Sequence, residues 1–325
     1  MAFLRRMSIA NKLFFAFLSL SIIGIVITSV ISFQQSRGSL EKAAFDQLTS
    51  VREMKAFQIE DYLKLIANQA VTFSADRMVV DTMRDLKTAF HGLEVDIAPD
   101  GKAIREIDLL QQDYYEREFL TRLAPNLQNT PVAADYLPKQ LNTRLLQHLY
   151  VSSNPYNTGS KDFLDHAGDG SAYSRLHEEV HPVFREYLEK FGYYDIFLLD
   201  INSGEIVYTV YKEVDVGTSV LDGPYADTGL ARVFRAVKDA NSPEFTAIED
   251  FSPYHPSYNA PAAFIASPIF DGDQMIGVLA FQMPIDRINL IMTNDQNWSD
   301  VGLGESGETY IVANDFRLRN QSRFL

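Results

Sequence analysis

The chain contains no cysteine. Disulfide frameworks, thiolate metal sites and thiol nucleophiles are therefore excluded. Between residues 13 and 33 there is no charged residue. Between residues 36 and about 90 there is no proline, and Gly38 is the only glycine. No glycine-rich loop leads into a helix and no Gly-x-Ser-x-Gly elbow occurs, which removes two common phosphate-binding and acyl-transfer designs. Catalysis by this chain is not expected, and neither is a cofactor.

What is present points to a globular protein. Apolar residues make up 46% of the 325 residues, enough for one large domain or two ordinary ones. The net charge is −14, unevenly spread. Residues 1–33 hold Arg5, Arg6 and Lys12 and no acid, so the remainder carries 26 basic against 43 acidic side chains. Such a surface repels phosphate backbones, and nucleic acid is not an expected partner.

The uncharged run at residues 13–33 is 21 residues long. At about 1.5 Å per residue it crosses a hydrocarbon core of roughly 30 Å. Its serines and threonine are tolerable because hydroxyls bond back to the helix. A cleaved signal peptide would have a shorter apolar region and a small-x-small site, so a retained anchor is expected. The basic residues precede it, which predicts a cytoplasmic N-terminus (1–12) and a periplasmic or extracellular location for residues 34–325.

Leu40, Ala44, Leu48, Val51, Tyr62, Leu65, Ile66, Gln69 and Phe73 recur at helical steps, interrupted by Lys55 and Gln58. This predicts one long helix over 36–90, packed on its own domain or also on a second copy. Helices are expected at 108–123, 139–151 and 175–191, the last broken or bent at Pro182. Beyond residue 194 the texture changes to strands at 194–200, 205–212, 245–250, 262–270 and 275–283, with a short helix at 228–240. Hairpin connections make this one antiparallel sheet with its helices on one side.

That order of elements resembles the double-Cache extracytoplasmic sensor of bacterial receptors such as methyl-accepting chemotaxis proteins. The closing hairpin AFIASPIFDGDQMIGVLAFQM, residues 263–283, carries the likeness best. VGLGESGETYIV at 301–312 resembles the opening of a second, membrane-proximal module, and DFRLRNQSRF at 315–324 its next strand and loop. The resemblance implies an α+β fold in which a transmembrane and periplasmic helix packs on a PAS-like sheet. It also implies a sensor module at 34–300 and an incomplete second module at 301–325. It implies small-molecule sensing in transmembrane signalling, with a chemotaxis receptor first. A membrane cyclase or a histidine kinase is the alternative, and a stand-alone anchored binding protein a lesser one. A homodimer through the long helix is part of the same expectation.

His177, Glu178 and His181 match the HExxH zinc-peptidase spacing. Pro182 directly after it and the strands downstream oppose that use, and solvated histidines are expected; no metal site is predicted. The acidic loop at 165–170 lacks the spacing of a calcium loop and reads as solvated. The ligand-binding candidates are Tyr225 and Asp227 before the short helix, Arg232 on it, and Tyr254, Tyr258 and Asn259 in a Pro-rich loop. The same tyrosines would serve equally well as caps of the core. Asp227 or Thr228 is the expected N-cap. Amino-acid-binding members resemble one another in an Arg-x-Trp-Tyr segment and a late-strand Asp. Here Gly223-Pro-Tyr225 and Gln282 stand in those places, so an α-amino acid is disfavoured and Gln282 is expected to bond a polar ligand.

Overall fold

The structure is a computed structural model that describes residues 8–240 and 242–324. Arg5, Arg6 and Leu325, on which the orientation and chain-end expectations bear, lie outside the described residues.

Helix α1 runs unbroken from Ile9–Ser74, 66 residues, about 100 Å at ~1.5 Å per residue. Ser8 caps it by accepting from the Asn11 N–H at 3.3 Å. Within the apolar run, Ser19 and Thr28 return their hydroxyls to the carbonyls of Phe15 and Gly24 at 2.7 and 2.9 Å. The helix is thereby long and apolar enough to cross a membrane. From Val51 onward it begins to bury side chains: Val51, Lys55, Ile66, Ala70 and Phe73.

The expected single helix over 36–90 is instead two. Asp76 accepts from the Met78 N–H at 2.8 Å and caps a new helix, α2 (Arg77–Ile97). A short acidic side chain that captures a following amide ends one helix and starts another. Helix α3 (Gly101–Tyr114) passes into a π-turn at Tyr115–Phe119. Helix α4 (Leu141–Gln147) ends the same way at His148–Ser152. Helix α5 (Ala172–Phe191), expected to break or bend at Pro182, continues through it without a break.

Strands β1 (Asp195–Asp200), β2 (Ile206–Thr209), β3 (Ala247–Tyr254), β4 (Ala260–Asp271) and β5 (Gln274–Met283) form one antiparallel sheet ordered β2-β1-β5-β4-β3. The fold class is α+β, as expected. The helices do not lie on one side only. Ile196, Leu198, Ile265, Leu279 and Phe281 face the core shared with α1, α2 and α5. Phe197, Leu199, Phe264, Val278 and Ala280 face α6 (Gly229–Lys238). Strands buried on both faces lose the alternating pattern that a half-solvated sheet would show.

Two local features fasten α1 to this sheet. Phe73 stacks on Tyr187 of α5 with ring centroids 3.9 Å apart and reaches Phe281 of β5 at 6.1 Å. Ser74 donates its hydroxyl to Ser267 of β4 at 3.1 Å. Lys55, which breaks the apolar stripe, is buried and donates to the Ile291 carbonyl at 2.5 Å. That carbonyl belongs to the last turn of α7 (Ile285–Thr293), where a cation also meets the negative end of the helix dipole. Leu40, Leu48 and Leu65, by contrast, are exposed. Residues 301–324 form no strand; one bridge, Val312 to Leu318, closes a turn there.

Replacing Phe73 by Ala should lower unfolding stability by about 3–5 kcal/mol, the usual cost of emptying a buried aromatic site. Urea denaturation of the chain in detergent, followed by tyrosine fluorescence, measures it.

Candidate ligand site

The strand β1 opens with a buried carboxylate, Asp195, ahead of an apolar run. Four donors converge on it, the Ile196 amide at 2.7 Å among them. Thr209 gives its hydroxyl at 2.5 Å, and the amides of Val210 and Tyr211 reach it at 2.9 and 3.1 Å. This wraps the chain after β2 around the end of the sheet. The segment that follows, residues 212–218, is then fixed from outside. Gln147 donates to the carbonyls of Val214 and Val216 at 2.8 and 2.9 Å, and Thr143 to that of Gly217 at 2.8 Å. Tyr115, on the first π-turn, bonds Gln147 and the Val214 carbonyl. Both π-turns thus adjoin this segment, in keeping with the frequent use of such bulges near functional sites.

The result is a polar cluster inside the protein. Asp215 is buried and accepts from the Tyr254 hydroxyl through Oδ2, while its Oδ1 has no partner. Glu213 accepts from Ser257 at 3.0 Å. Gln282, paired in register with Asp195, donates to Ser257 at 3.3 Å, and its Oε1 is unpartnered. The hydroxyl of Tyr225 is likewise buried and unpartnered. Lys161 is buried beside Tyr114, 2.5 Å from its hydroxyl and 4.0 Å from its ring centroid. A cleft of about 490 Å³ opens farther along the same segment, lined by Ala134, Pro138, Thr143, Ser219 and Pro224; none of the clustered acids, tyrosines or Gln282 lines it. That volume is in the range of small-molecule sites.

Burial sets the protonation of the cluster. It raises the Asp195 carboxyl to about 7, with the Asp215 charge adding to the shift. It raises Asp215 to about 6 and Glu213 well above the ordinary range. It also lowers Lys161 to about 7. An interior holding several acids and few cations favours their neutral forms unless positive charge arrives.

The residues singled out in the sequence divide here. Tyr225, Tyr254 and Gln282 lie in the cluster. Tyr258 and Asn259 flank it in a left-handed turn, φ 56° and 68°. Asn126 holds that turn, donating to the Tyr258 carbonyl at 2.9 Å and accepting from Asn259 at 2.8 Å. Asp227 and Arg232 do not join them. Asp227 is exposed, and Arg232 pairs at 2.7 Å with Glu249 on the outer side of α6. The N-cap of α6 is Thr228, not Asp227. Asp195, Glu213, Asp215, Ser257 and Lys161 were missed. The acids at 213 and 215, alternating with valines at 214 and 216, were the available signal, because solvated acids seldom sit in so apolar a run.

The HExxH histidines are buried rather than solvated. His181 presents Nε2 to the Asp162 carbonyl at 2.6 Å and receives the Tyr208 hydroxyl at Nδ1, 2.7 Å away. His177 points Nδ1 at the Asp165 carbonyl at 2.6 Å. The i, i+4 spacing therefore staples α5 to the segment at 162–165, and Glu178 faces solvent. The loop at 165–170 is not simply solvated either. Asp165 pairs with Arg185 at 2.8 Å, and both carboxylate oxygens of Asp169 are buried.

No model of a known protein family matches the chain, and no curated protein matches it. Among the solved structures similar to it in part are two sensor domains. One is the sensor domain of the V. cholerae histidine kinase DctB, at 14% identity and a TM-score of 0.29, over 58% of this chain and 60% of that one. The chain thus spans about three-fifths of that structure's length. The other is the ligand-binding domain of the Campylobacter jejuni chemoreceptor Tlp3 in complex with 4-methylisoleucine, at 10% identity and a TM-score of 0.29, over 77% and 73%. Neither match assigns a role to any residue of this chain.

Asp195→Asn should flatten the pH dependence of stability. A carboxyl whose folded pKa is raised to about 7 from an ordinary value near 3.8 stabilises the fold fully below about pH 4. That contribution is lost as pH rises through 7. The melting temperature of the wild type should therefore drop more between pH 5 and 7.5 than that of the variant. Equal slopes in parallel thermal melts would refute the assignment.

Proposed function

We propose that the chain is the sensor part of a transmembrane signalling protein, a chemotaxis receptor in the first instance. In this reading residues 34–324 lie on the outer side of the membrane, bind a small molecule and pass its occupancy to the membrane span. The chain itself carries no catalytic role. The supporting observation is that one unbroken helix, α1, holds the apolar span at one end and is packed on the sheet at the other. A rigid element shared by two environments converts a shift in one into a shift in the other. Helix displacements of about 1–2 Å are the usual scale.

The ligand sits between β5, the segment at 212–218 and the turn at 255–259. The unpartnered acceptors Asp215 Oδ1 and Gln282 Oε1, and the neighbouring Asp195 and Glu213, call for a ligand rich in N–H donors, an organic amine above all. The carboxylate absent at position 282 stands beside it at Asp195. A membrane cyclase or a histidine kinase would use the same sensor with another output. The exposed leucines of α1 at positions 40, 48 and 65 fit a second copy packed along the helix.

Thermal-shift screening of the chain in detergent against primary amines, amides and carboxylates should find stabilising amines. Asp215→Asn and Gln282→Ala should remove that stabilisation; hits among carboxylates alone would refute the site chemistry. The absence of native cysteine makes a second test clean. Engineered Cys pairs along residues 40–70 should crosslink at different rates with and without a stabilising amine, and unchanged rates for every pair would sink the transmission mechanism. Lys55→Met should leave the thermal shift intact and blunt the crosslinking response.

A further inference from the structure

A second polar cluster lies outside the ligand site, where α2 meets the β1–β2 hairpin. His91 on α2, Asp200 at the end of β1 and Glu205 just before β2 bring their ligand atoms within 4.8 Å of one another. We propose that these three residues form a binding site for a divalent transition cation, Zn²⁺ in particular.

The geometry carries the assignment. His91 Nε2 is 3.5 Å from Asp200 Oδ2 and 3.6 Å from Glu205 Oε2. Ligand bonds of ~2.0–2.2 Å in a tetrahedron place neighbouring donors roughly 3.3–3.6 Å apart. An octahedral site with the same bonds would need about 3 Å. One imidazole with two carboxylates suits a borderline metal better than calcium or magnesium, which favour all-oxygen shells.

Electrostatics supply the second, independent observation. Glu205 has 4% of its side chain exposed, and its Oε2 is buried with no hydrogen-bond partner. An unpaired carboxylate in that position costs free energy that a cation would offset. Asp200 is 3% exposed and better supplied. Its Oδ1 receives Lys87 at 2.5 Å and the Asn202 amide, and its Oδ2 receives the Ser203 hydroxyl. One lysine against two carboxylates leaves a net negative charge, and a divalent cation would cancel it. Lys87 is 24% exposed, so its amine can turn outward when the cation enters. His91, 42% exposed, provides the entry. Bound there, the cation would clamp α2 to the hairpin.

The test uses the whole chain in detergent, stripped with a chelator and titrated with Zn²⁺ by calorimetry. One saturable site per chain is expected. His91→Ala and Glu205→Gln should each weaken it at least tenfold, and Lys87→Met, which removes the competing internal cation, should tighten it. Co²⁺ in place of Zn²⁺ should give tetrahedral d–d bands that His91→Ala abolishes. The absence of saturable binding, undiminished affinity in both ligand variants, or weaker binding in Lys87→Met would overturn the assignment.

Discussion

The docking of the last third of α1 on the sheet is the contact on which the remaining structure depends. The same helix is apolar on all sides over residues 13–33, and selective where Ile66, Ala70 and Phe73 meet the core. Phe73 makes the second environment possible. Its ring, that of Tyr187 of α5 and that of Phe281 of β5 are in mutual contact, so helix, helix and strand share one aromatic cluster. Close packing of this kind transmits small displacements because there is no void to absorb them.

Two kinds of polar interior adjoin the sheet. On the α5 side, His177, His181 and Lys212 are buried among tyrosine rings and backbone carbonyls; burial lowers the pKa of both histidines, His181 to about 2. Their spacing looks like metal chemistry, yet each observed bond to a carbonyl ties α5 to a neighbouring segment. At the end of the sheet bordering residues 212–218, several acceptors have no internal donor at all. Unsatisfied groups are not confined to that end, since His177 Nε2 and both Asp169 oxygens also lack a partner; what sets the cluster apart is its several buried acids.

The long helix illustrates how a single side chain can tie two distant segments together. Lys55 looks like a defect in an apolar stripe. In the fold it closes the C-terminal turn of α7, the helix that directly follows β5. Gln47 makes a comparable bond, to the Gly302 carbonyl at 2.6 Å. The outer part of α1 is thereby tied to chain that leaves the sheet, not only to the sheet itself.

Much of the architecture was legible in the sequence. A helix long and apolar enough to cross a membrane follows from 21 uncharged residues, because a helix satisfies its own backbone without water. The strands and the turn at 271–273 follow from β-branched and aromatic runs punctuated by glycine and aspartate. The break at Ser74–Asp76 was missed because a cap acts through one hydrogen bond rather than a change in periodicity. Tyr225, Tyr254 and Gln282 could be singled out because they sit near turns and strand ends. Asp195, Glu213, Asp215 and Lys161 could not be grouped, since they are brought together only by the chain wrapping the sheet edge. The same holds for His91, Asp200 and Glu205. Sequence determines local geometry through propensity and pattern; proximity between distant side chains is a property of the packed whole, and only the tertiary structure decides it.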